Sequence, residues 1–428
     1  MRPFSCSSTG KHSRAEPSTN SSQSNDFNDD SANVLESKKR IHVMGIGNIG
    51  SFVAHSLAGA PQRPPVTLLL HHPGMYETWL KFGQRITIRR HGLEDSRTGF
   101  AVNTLQDGAW LHPSEIAGSP PEAIAEERAH QNQESGSIPA DEDVIDNLVL
   151  TLKATKITKA LQSVQHRLTT DSTILFLCNG MGMIEDVNEK IFPDEATRPN
   201  YIGGIISHGI YRSGYFNATH AGVGVTNLGV LFTNPKFHCH ENSTFAPSTT
   251  YLLNTMTQAP ELVANTVNSV EFLQFQLEKL AINCVLNPLT ALIECQNGEM
   301  LYNFNLSRVQ RLLLIEISAV ICALPELQGI PGIHARFAPE RLRTIAVGVM
   351  KKTAENQSSM LQDMNAGRRL EIDYMNGYVV RRGEELGIKC ALNYMLACLA
   401  QAKSVLLRKR TETEIPVDAE IPLHGSGL

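Results

Sequence analysis

The hydrophobic pattern divides the chain into two parts of different character. Short apolar runs that alternate with helical runs extend from residue 40 to about 245, whereas long amphipathic helical runs fill residues 252–410. Strands that alternate with helices are typical of a mostly parallel sheet with helices on both faces. We therefore expect an α/β domain followed by an all-α domain. The predicted strands are residues 41–44, 66–70, 86–88, 100–102, 147–154, 173–177, 201–207 and 224–232.

Three stretches lack this pattern. Residues 1–39 are rich in Ser, Asn and Asp and have almost no aliphatic periodicity, which is typical of a disordered arm. Residues 114–143 are rich in Pro, Glu and Gln and interrupt the α/β part, so they predict a mobile inserted surface loop. Residues 411–428 are polar and predict a loose tail.

A polar stripe crosses the first long helix of the second part. Lys279, Asn283 and Asn287 recur at steps of four inside an apolar run, so they share one helix face. Burying an ammonium and two carboxamides without partners would cost several kcal/mol, so we expect this face to line a wet cleft or a polar ligand. A solvent-facing stripe is the simpler alternative for Lys279 alone. Pro288 is expected to bend the helix just past Asn287.

A glycine turn joins the first predicted strand to the first helix. Strand, turn and helix follow one another in the order of a dinucleotide-binding unit. Gly45 permits the tight turn, Gly47 lets the backbone approach a pyrophosphate, and Gly50 lets helix and strand lie close together. The helix N-terminus offers unpaired N–H groups to the phosphates. We therefore predict a Rossmann-like domain whose cofactor contacts include Gly45, Ile46, Gly47, Asn48, Ile49 and Gly50.

The end of the second strand bears on the choice between the two nicotinamide cofactors. NAD sites usually place a carboxylate there for the ribose 2′-OH, whereas the 2′-phosphate of NADP prefers cations. Here the strand ends in His71 and His72, and no acidic residue follows until Glu77. The sequence therefore favours NADPH, although a neutral imidazole holds phosphate less firmly than a guanidinium.

Polar residues also follow two central strands. Lys153 lies at the carboxyl end of strand 147–154, and Asn179 follows strand 173–177. Ligands of open α/β sheets collect at these ends, so both residues should lie on the same rim as the glycine turn. Taken singly, each is more often a residue that caps a strand. Ser359 and Glu371 form a second polar cluster in the helical part, where a solvated helix face is the default interpretation.

Composition narrows the class of protein. The chain has 428 residues, 42% hydrophobic and 19% charged, which is typical of a soluble globular protein. A net charge of -5 argues against a nucleic-acid surface, and no apolar run reaches the roughly 18 to 20 residues of a membrane span. The 8 cysteines are scattered, as in a reducing compartment. No metal is expected at His238-Cys239-His240, because adjacent ligands alternate faces on a strand and no second cluster completes four ligands.

Several motifs together resemble ketopantoate reductase, the 2-dehydropantoate 2-reductase family. They are GIGNIG at 45–50, TLKA at 151–154, NGMG at 179–182, KLAINCVLNPLTAL at 279–292, NGE at 297–299, SSMLQD at 358–363 and LEIDYMNG at 370–377. The resemblance spans roughly residues 41–405. It implies a helical C-terminal domain like that of 6-phosphogluconate dehydrogenase. It also implies an oxidoreductase that uses NADPH to reduce ketopantoate to (R)-pantoate in pantothenate and coenzyme A biosynthesis.

The resemblance implies roles for individual residues. Lys279 matches the family's proton donor, and Glu371 matches a carboxylate that contacts both cofactor and active site. Lys153 and Asn179 match cofactor contacts, and Ile210 falls, more loosely, where the family offers a backbone contact. The residues that match substrate contacts are Lys279, Asn283, Asn287, Asn297 and Ser359. A lysine ammonium suits the reaction, because it can stabilise charge on a carbonyl oxygen and donate the proton.

Departures from the family leave alternatives open. His71 or His72 stands where the family often has an arginine, which leaves NADH open. The Ser-rich arm and the insertion are typical of a divergent eukaryotic, fungal member, which could reduce another 2-keto acid. A non-catalytic, nucleotide-dependent binding or regulatory module is the second alternative. We expect a monomer or homodimer that binds a small 2-keto acid, no nucleic acid and no membrane. A cytoplasmic location is expected, with a mitochondrial one as the alternative.

Overall fold

The computed structural model describes residues 39–112, 144–237 and 245–413, with side chains as far as residue 410. Within these residues, thirteen strands form a nine-stranded sheet and a smaller four-stranded sheet. The strands are β1 Ile41–Met44, β2 Val66–Leu70, β3 Ile86–Arg90, β4 Leu93–Arg97, β5 Ala101–Gln106, β6 Ala109–Leu111, β7 Asn147–Leu150, β8 Thr173–Phe176, β9 Asn200–Ile206, β10 Gly209–Gly214, β11 Asn217–Gly222, β12 Thr226–Phe232 and β13 Ala264–Thr266.

The large sheet has the strand order β13-β12-β9-β8-β7-β1-β2-β5-β6. From β9 to β5 its neighbours are parallel, while β12 and β6 pair antiparallel with β9 and β5. Five helices accompany the sheets: α1 Asn48–Ala58, α2 Pro73–Lys81, α3 Ala154–Gln162, α4 Met183–Lys190 and α5 Pro247–Gln258. This is the predicted Rossmann-like arrangement.

Alternate residues of the central strands enter different cores. Val43, Leu68 and Leu70 belong to the core that includes α1 and α5. Met44 and Leu69 belong to the core that includes α3 and α4. Because helices cover both faces, these strands are buried at every position and mostly apolar on both faces rather than on alternate positions alone. Their continuous apolar runs are what made them recognisable in the sequence.

The described chain after residue 268 is helical. Its α-helices are α6 Ser269–Ile293, α7 Phe304–Ala323, α8 Ile333–Arg336, α9 Pro339–Lys352, α10 Ser359–Asn365, α11 Asn376–Glu385 and α12 Ala391–Thr413. Short 3-10 helices include Asn297–Tyr302 and Ile372–Tyr374. The central helix α6 begins at the cap Asn268, whose Oδ1 accepts from the Glu271 N–H at 2.9 Å. It contains Pro288 and continues to Ile293.

Two boundaries differ from those expected. Strand β7 ends at Leu150, so Lys153 is not in the strand but precedes α3 as its N-cap residue. The helical part begins at Ser269, later than residue 252, because α5 lies against the sheet and β13 pairs with β12 at its edge. The predictions for the arm, the insertion 114–143, the His238-Cys239-His240 segment and most of the tail fall outside the described residues.

A pair of buried histidines joins the small sheet to the segment that precedes β13. His208 Nε2 donates to the Leu262 carbonyl at 2.9 Å, and its Nδ1 lies 3.0 Å from His220 Nε2. Arg90 Nε donates to His220 Nδ1 at 3.1 Å. Every ring nitrogen therefore has a partner when both imidazoles are neutral. Burial, with the charge of Arg90, lowers the pKa of His220 to about 4 and also lowers the pKa of His208.

This pair predicts a loss of stability in weak acid. The unfolded chain protonates a histidine near pH 6.5, whereas folded His220 stays neutral to about pH 4. The free energy of unfolding should therefore fall as pH decreases through this window, by on the order of 2 kcal/mol for His220 between pH 6.5 and 5. Urea denaturation at both pH values measures this change.

The control is His220→Gln, which keeps a neutral donor and acceptor. The buried His42, whose pKa burial lowers to about 3, contributes equally to both proteins, so the comparison tests the contribution of His220. The variant should lose less stability between pH 6.5 and 5 than the parent. An identical loss would show that His220 does not contribute.

Candidate active site

The glycine turn has the geometry of a phosphate cradle. Gly45 has a φ of +100°, and a Cβ on Gly50 would lie 2.2 Å from the Gly45 carbonyl oxygen. Only glycine fits either position without strain. A Cβ on Gly47 would meet no described atom within 4 Å, so the surface above the turn is open in this part of the structure. Among the described residues, no side chain caps the N-terminus of α1. These features fit a bound pyrophosphate.

The end of β2 carries two histidines on the exposed surface, as the sequence predicted. His72 Nδ1 accepts from the Met75 N–H at 3.1 Å and so caps α2. Partial burial, His72 and the charge of Lys156 lower the pKa of His71. His71 therefore carries little positive charge at neutral pH. The exposed Lys156, on the first turn of α3, is close enough to act on the pKa of His71 and can supply positive charge at this end of β2.

A buried carboxylate brings the two parts of the chain together. Glu371 is 3% exposed, and its Oε1 accepts from the Ala154 N–H at 2.8 Å. Its Oε2 accepts from Lys153 Nζ at 3.0 Å, and Asp363 Oδ2 accepts from the same ammonium at 2.8 Å. Although burial opposes the charge, these two carboxylates raise the pKa of Lys153. Arg368 Nε donates to the other oxygen of Asp363 at 2.9 Å.

Lys279 lies beside this pair. The side chain is half-buried, and its Nζ donates to the Ile206 carbonyl at the end of β9 at 2.9 Å. Burial lowers the pKa of Lys279 to about 8, although the nearby Cys178 and Glu371 act in the opposite direction. Burial also raises the pKa of Cys178 to about 12, so that thiol is neutral. The ammonium is therefore protonated at neutral pH and can lose its proton readily.

The rest of the polar stripe follows Lys279 along α6. Asn283 is half-buried and Asn287 is buried, with Asn287 Nδ2 3.6 Å from the Met375 sulfur. One turn later, the Thr290 hydroxyl donates to Ser358 Oγ at 2.7 Å. Ser358 also caps α10, so the half-buried Ser359 is placed near the end of the stripe.

The remaining predicted residues are placed around this centre. Asn297 is buried, and its Nδ2 donates to Thr353 Oγ1 at 2.9 Å, while its Oδ1 has no hydrogen-bond partner among the described residues. Asn179 is half-buried and directly follows Cys178, which lies near Lys279. Ile210 lies on β10 and pairs with His220 of β11. Its predicted backbone contact with the cofactor stays a prediction.

Sequence reasoning missed four groups at this site. They are the Ile206 carbonyl, Asp363, Arg368 and Lys156. No sequence signal marks a backbone carbonyl, because every residue has one. Asp363 and Arg368 lay within or beside the conspicuous SSMLQD motif, and Lys156 follows Lys153 by three residues. These residues are visible in the sequence, but their roles are not. Asp363, for example, binds Lys153, which lies more than 200 residues away in the chain.

Another cluster of potential metal ligands lies elsewhere in the described chain. His55, Asp95 and Glu261 bring their ligand atoms within 4.8 Å of one another. Arg97 already occupies this cluster, since its Nη2 donates to Glu261 Oε1 at 2.6 Å and to Asp95 Oδ2 at 2.7 Å. A guanidinium in this position repels a cation. The cluster is best explained as an ion-pair network.

Family models match both parts of the chain. Residues 41–231 match the model described as ketopantoate reductase PanE/ApbA, and residues 271–404 match ketopantoate reductase PanE/ApbA C terminal. The boundary between the two matches agrees with the change from sheet to helices at Ser269.

Curated relatives carry related names. A probable 2-dehydropantoate 2-reductase of Schizosaccharomyces pombe is 28% identical over 375 residues, which are 86% of this chain and 98% of the relative. The 2-dehydropantoate 2-reductase of Shigella flexneri is 33% identical over 259 residues, 60% of this chain and 74% of the relative. A ketoisovalerate reductase of Beauveria bassiana is 25% identical over 393 residues, 82% of this chain and 80% of the relative.

Solved structures share the fold. A 2-dehydropantoate 2-reductase from Geobacter metallireducens has a TM-score of 0.61 at 19% identity, covering 85% of this chain and 99% of that chain. D-mandelate dehydrogenase with NADH and anilino(oxo)acetate has a TM-score of 0.59 at 20% identity, covering 86% and 99%. A dimeric ketopantoate reductase from Staphylococcus aureus has a TM-score of 0.56 at 14% identity, covering 86% and 99%.

The fold and the two family models agree over both parts of the chain. The motifs around Gly45, Lys279 and Glu371 fall within the matched residues. The chain belongs to the ketopantoate reductase family.

Proposed function

We propose that the protein reduces 2-dehydropantoate (ketopantoate) to (R)-pantoate with NADPH, in pantothenate and coenzyme A biosynthesis. One observation carries the proposal: a lysine whose pKa burial lowers to about 8 lies beside a buried carboxylate at the rim of the sheet. Such a lysine is poised to donate a proton near neutral pH. The names of the S. pombe and Shigella relatives support the choice of substrate.

The cofactor would lie along the rim of the sheet. The open turn around Gly47 and the uncapped N-terminus of α1 would hold the pyrophosphate. Lys153 and Asn179 would lie toward the nicotinamide, and Glu371 would accept from a ribose hydroxyl or from Lys153. A bound reduced nicotinamide supplies the hydride. The protein's part is to place the keto acid, exclude water and provide the proton.

Substrate contacts would come from the polar stripe. When a ketone is reduced, negative charge develops on its oxygen, and the Lys279 ammonium would stabilise that charge and donate the proton. The carboxamides of Asn283 and Asn287 and the hydroxyl of Ser359 would bind the carboxylate and hydroxyl oxygens. The Oδ1 of Asn297, which has no hydrogen-bond partner among the described residues, would accept from a substrate hydroxyl. Neutral donors here avoid burying surplus charge.

A different 2-keto acid is the second candidate. The name of the Beauveria relative favours 2-ketoisovalerate, which lacks the hydroxyl of ketopantoate. The deciding experiment follows NADPH oxidation by absorbance with ketopantoate, 2-ketoisovalerate and other 2-keto acids, and repeats each with NADH. Turnover only with another acid would replace the substrate. Cofactor binding without any turnover would instead indicate a binding module.

The proposal also covers the compartment and the assembly of the protein. The six cysteines of the described chain are free thiols, which supports a reducing compartment such as the cytoplasm. No helix in the described ranges is long and apolar enough to cross a membrane. We take a homodimer as the assembly, by likeness to the S. aureus enzyme.

Replacing the proposed proton donor should abolish most activity. Lys279→Ala should lower kcat by about two to four orders of magnitude, the usual contribution of a positioned acid. In the parent enzyme kcat should fall as pH rises through about 8, where Lys279 loses its proton. Steady-state kinetics over pH measures both effects. Lys351→Ala, which removes an exposed lysine, is the control, and a near-normal kcat for Lys279→Ala would contradict the assignment.

Asp363 should act by positioning Lys153. Asp363→Asn removes one of the two carboxylates that hold the ammonium, so kcat/KM should fall roughly tenfold or more, the range for a lost charged hydrogen bond. Asp363→Glu should restore part of the loss. Arg368→Gln removes the other partner of Asp363 and is the matched control. An equal loss in Arg368→Gln would show that Asp363 acts through Arg368 instead.

Lys156 should set the preference for NADPH. Lys156→Glu places a carboxylate where a 2′-phosphate would lie, so the KM for NADPH should rise by about tenfold, the effect of one charge-assisted contact of roughly 1.4 kcal/mol. The KM for NADH should hardly change. Lys159→Glu makes the same change at an exposed site on the same helix and should affect neither cofactor. If both variants raised the KM for NADPH equally, the effect would come from the overall charge and not from a contact of Lys156.

A further inference from the structure

A cleft of about 460 Å³ lies between α4 of the sheet part and α11 of the helical part. Its volume is within the usual range of small-molecule sites, about 300 to 1,000 Å³. The sheet part contributes Thr155 and residues of α4, and the helical part contributes Arg369, Tyr374 and residues of α11. None of the residues that line it belongs to the candidate active site. We call it the α4/α11 cleft.

The two walls of this cleft carry unpaired charges of opposite sign. On α4, Glu185 and Glu189 are four residues apart and so lie on one face of the helix. The wall from the helical part carries the guanidinium groups of Arg369 and Arg381. All four side chains are exposed, and none of them makes an ion pair with another described residue. Charges that face one cleft without pairing leave room for a ligand that carries both signs.

Other charged groups of the lining already have partners. Asp186 pairs with Lys190, and Glu385 pairs with Arg382. Asp373 Oδ1 accepts from a glutamine of α12 at 2.6 Å. The charges that remain available are therefore carboxylates on the α4 wall and guanidinium groups on the opposite wall.

A buried tyrosine also lines the cleft. Tyr378 is 6% exposed, and its hydroxyl has no hydrogen-bond partner among the described residues. A hydroxyl on a buried side chain is costly to leave unpaired, so this group is available to a ligand in the cleft. Burial and the charge of Glu185 raise the pKa of Tyr378, so the hydroxyl stays neutral and can both donate and accept.

Positive charge is concentrated where α4 begins. The N-cap residue Gly182 has a φ of +97°, and no described side chain caps this helix. A Cβ on Gly182 would lie 2.7 Å from Arg381 Nη2 and 3.3 Å from the Tyr378 ring, so both side chains lie against the start of α4. The N-terminus of a helix carries a positive partial charge, which here adds to that of the guanidinium. This end of the cleft is suited to a carboxylate.

We propose that the α4/α11 cleft binds a small linear zwitterion, with its carboxylate at Arg381 and its ammonium at Glu185 and Glu189. These glutamates follow Gly182 by three and seven residues, which is about 4.5 and 10.5 Å along the helix. The two charges of the ligand are therefore about 5 to 10 Å apart, as in an ω-amino acid and unlike an α-amino acid. The Tyr378 hydroxyl supplies a neutral contact. A simple anion or cation would leave one wall unpaired.

Such a ligand connects the same two parts of the chain as the Lys153–Glu371 pair. Thr155 on one wall follows Lys153 by two residues. Tyr374 on the other wall follows Glu371 by three residues. Because the ligand binds both walls only when the chain is folded, it should raise the unfolding temperature.

The test is isothermal titration calorimetry of the full chain with glycine, 4-aminobutanoate, 5-aminopentanoate and 6-aminohexanoate. The two longest should bind at least about tenfold more tightly than glycine, because they reach both walls. Pentanoate and pentylamine match 5-aminopentanoate but carry one charge each, and should bind at least about tenfold more weakly than it does. Thermal unfolding with and without 6-aminohexanoate measures the stabilisation.

Two variants test the place of binding. Tyr378→Phe removes only the hydroxyl, and Arg381→Gln removes the positive charge. Each should raise the dissociation constant of 6-aminohexanoate by about tenfold. Glu384→Gln, which changes an exposed carboxylate of α11 outside the cleft, is the control and should leave it unchanged. The unfolding temperature of each variant without ligand verifies that it is folded.

Three results would overturn the site. One is the absence of measurable binding of any of these zwitterions at millimolar concentration. Another is pentanoate or pentylamine that binds as tightly as 5-aminopentanoate. The third is an affinity that neither Tyr378→Phe nor Arg381→Gln lowers. If Lys279→Ala lowered it instead, the ligand would lie in the candidate active site.

Discussion

The structure depends on one buried carboxylate, that of Glu371. It lies in the helical part, yet its two oxygens accept hydrogen bonds from the Ala154 N–H and the Lys153 ammonium of the sheet part. A buried carboxylate without such partners would be very costly, so this contact holds the two parts together. Nearby, the Met181 N–H donates to the Tyr374 carbonyl at 2.8 Å, and the Tyr374 hydroxyl donates to Asp186 at 2.8 Å.

The same contact sets the electrostatics of the cleft. Glu371 keeps Lys153 protonated. The nearby Lys279 has a backbone carbonyl, and not a carboxylate, as its hydrogen-bond partner. Burial lowers the pKa of both lysines, but at Lys153 the two carboxylates outweigh it. The pKa of Lys153 is therefore raised, whereas that of Lys279 is lowered to about 8. One lysine is suited to hold charge and the other to release a proton.

Some of the site was predictable because its residues are local in sequence. The glycine turn needs only six consecutive residues, and the stripe of Lys279, Asn283 and Asn287 follows from the helical period. The continuous apolar strands indicated a sheet covered on both faces, which the structure has. Boundaries were less accurate: α5 reads as a helix in the sequence, but only its contacts with the sheet assign it to the first part.

The sequence by itself determined the two-part architecture, the dinucleotide-binding turn and the chemical character of the polar stripe, because each depends on spacing within a single element. The tertiary structure decided how those elements meet. The Lys153–Glu371 pair joins residues 218 positions apart, and Lys279 finds its carbonyl partner 73 positions away. Long-range pairs of this kind follow from how sheet and helices pack together, and neither periodicity nor local motif specifies that.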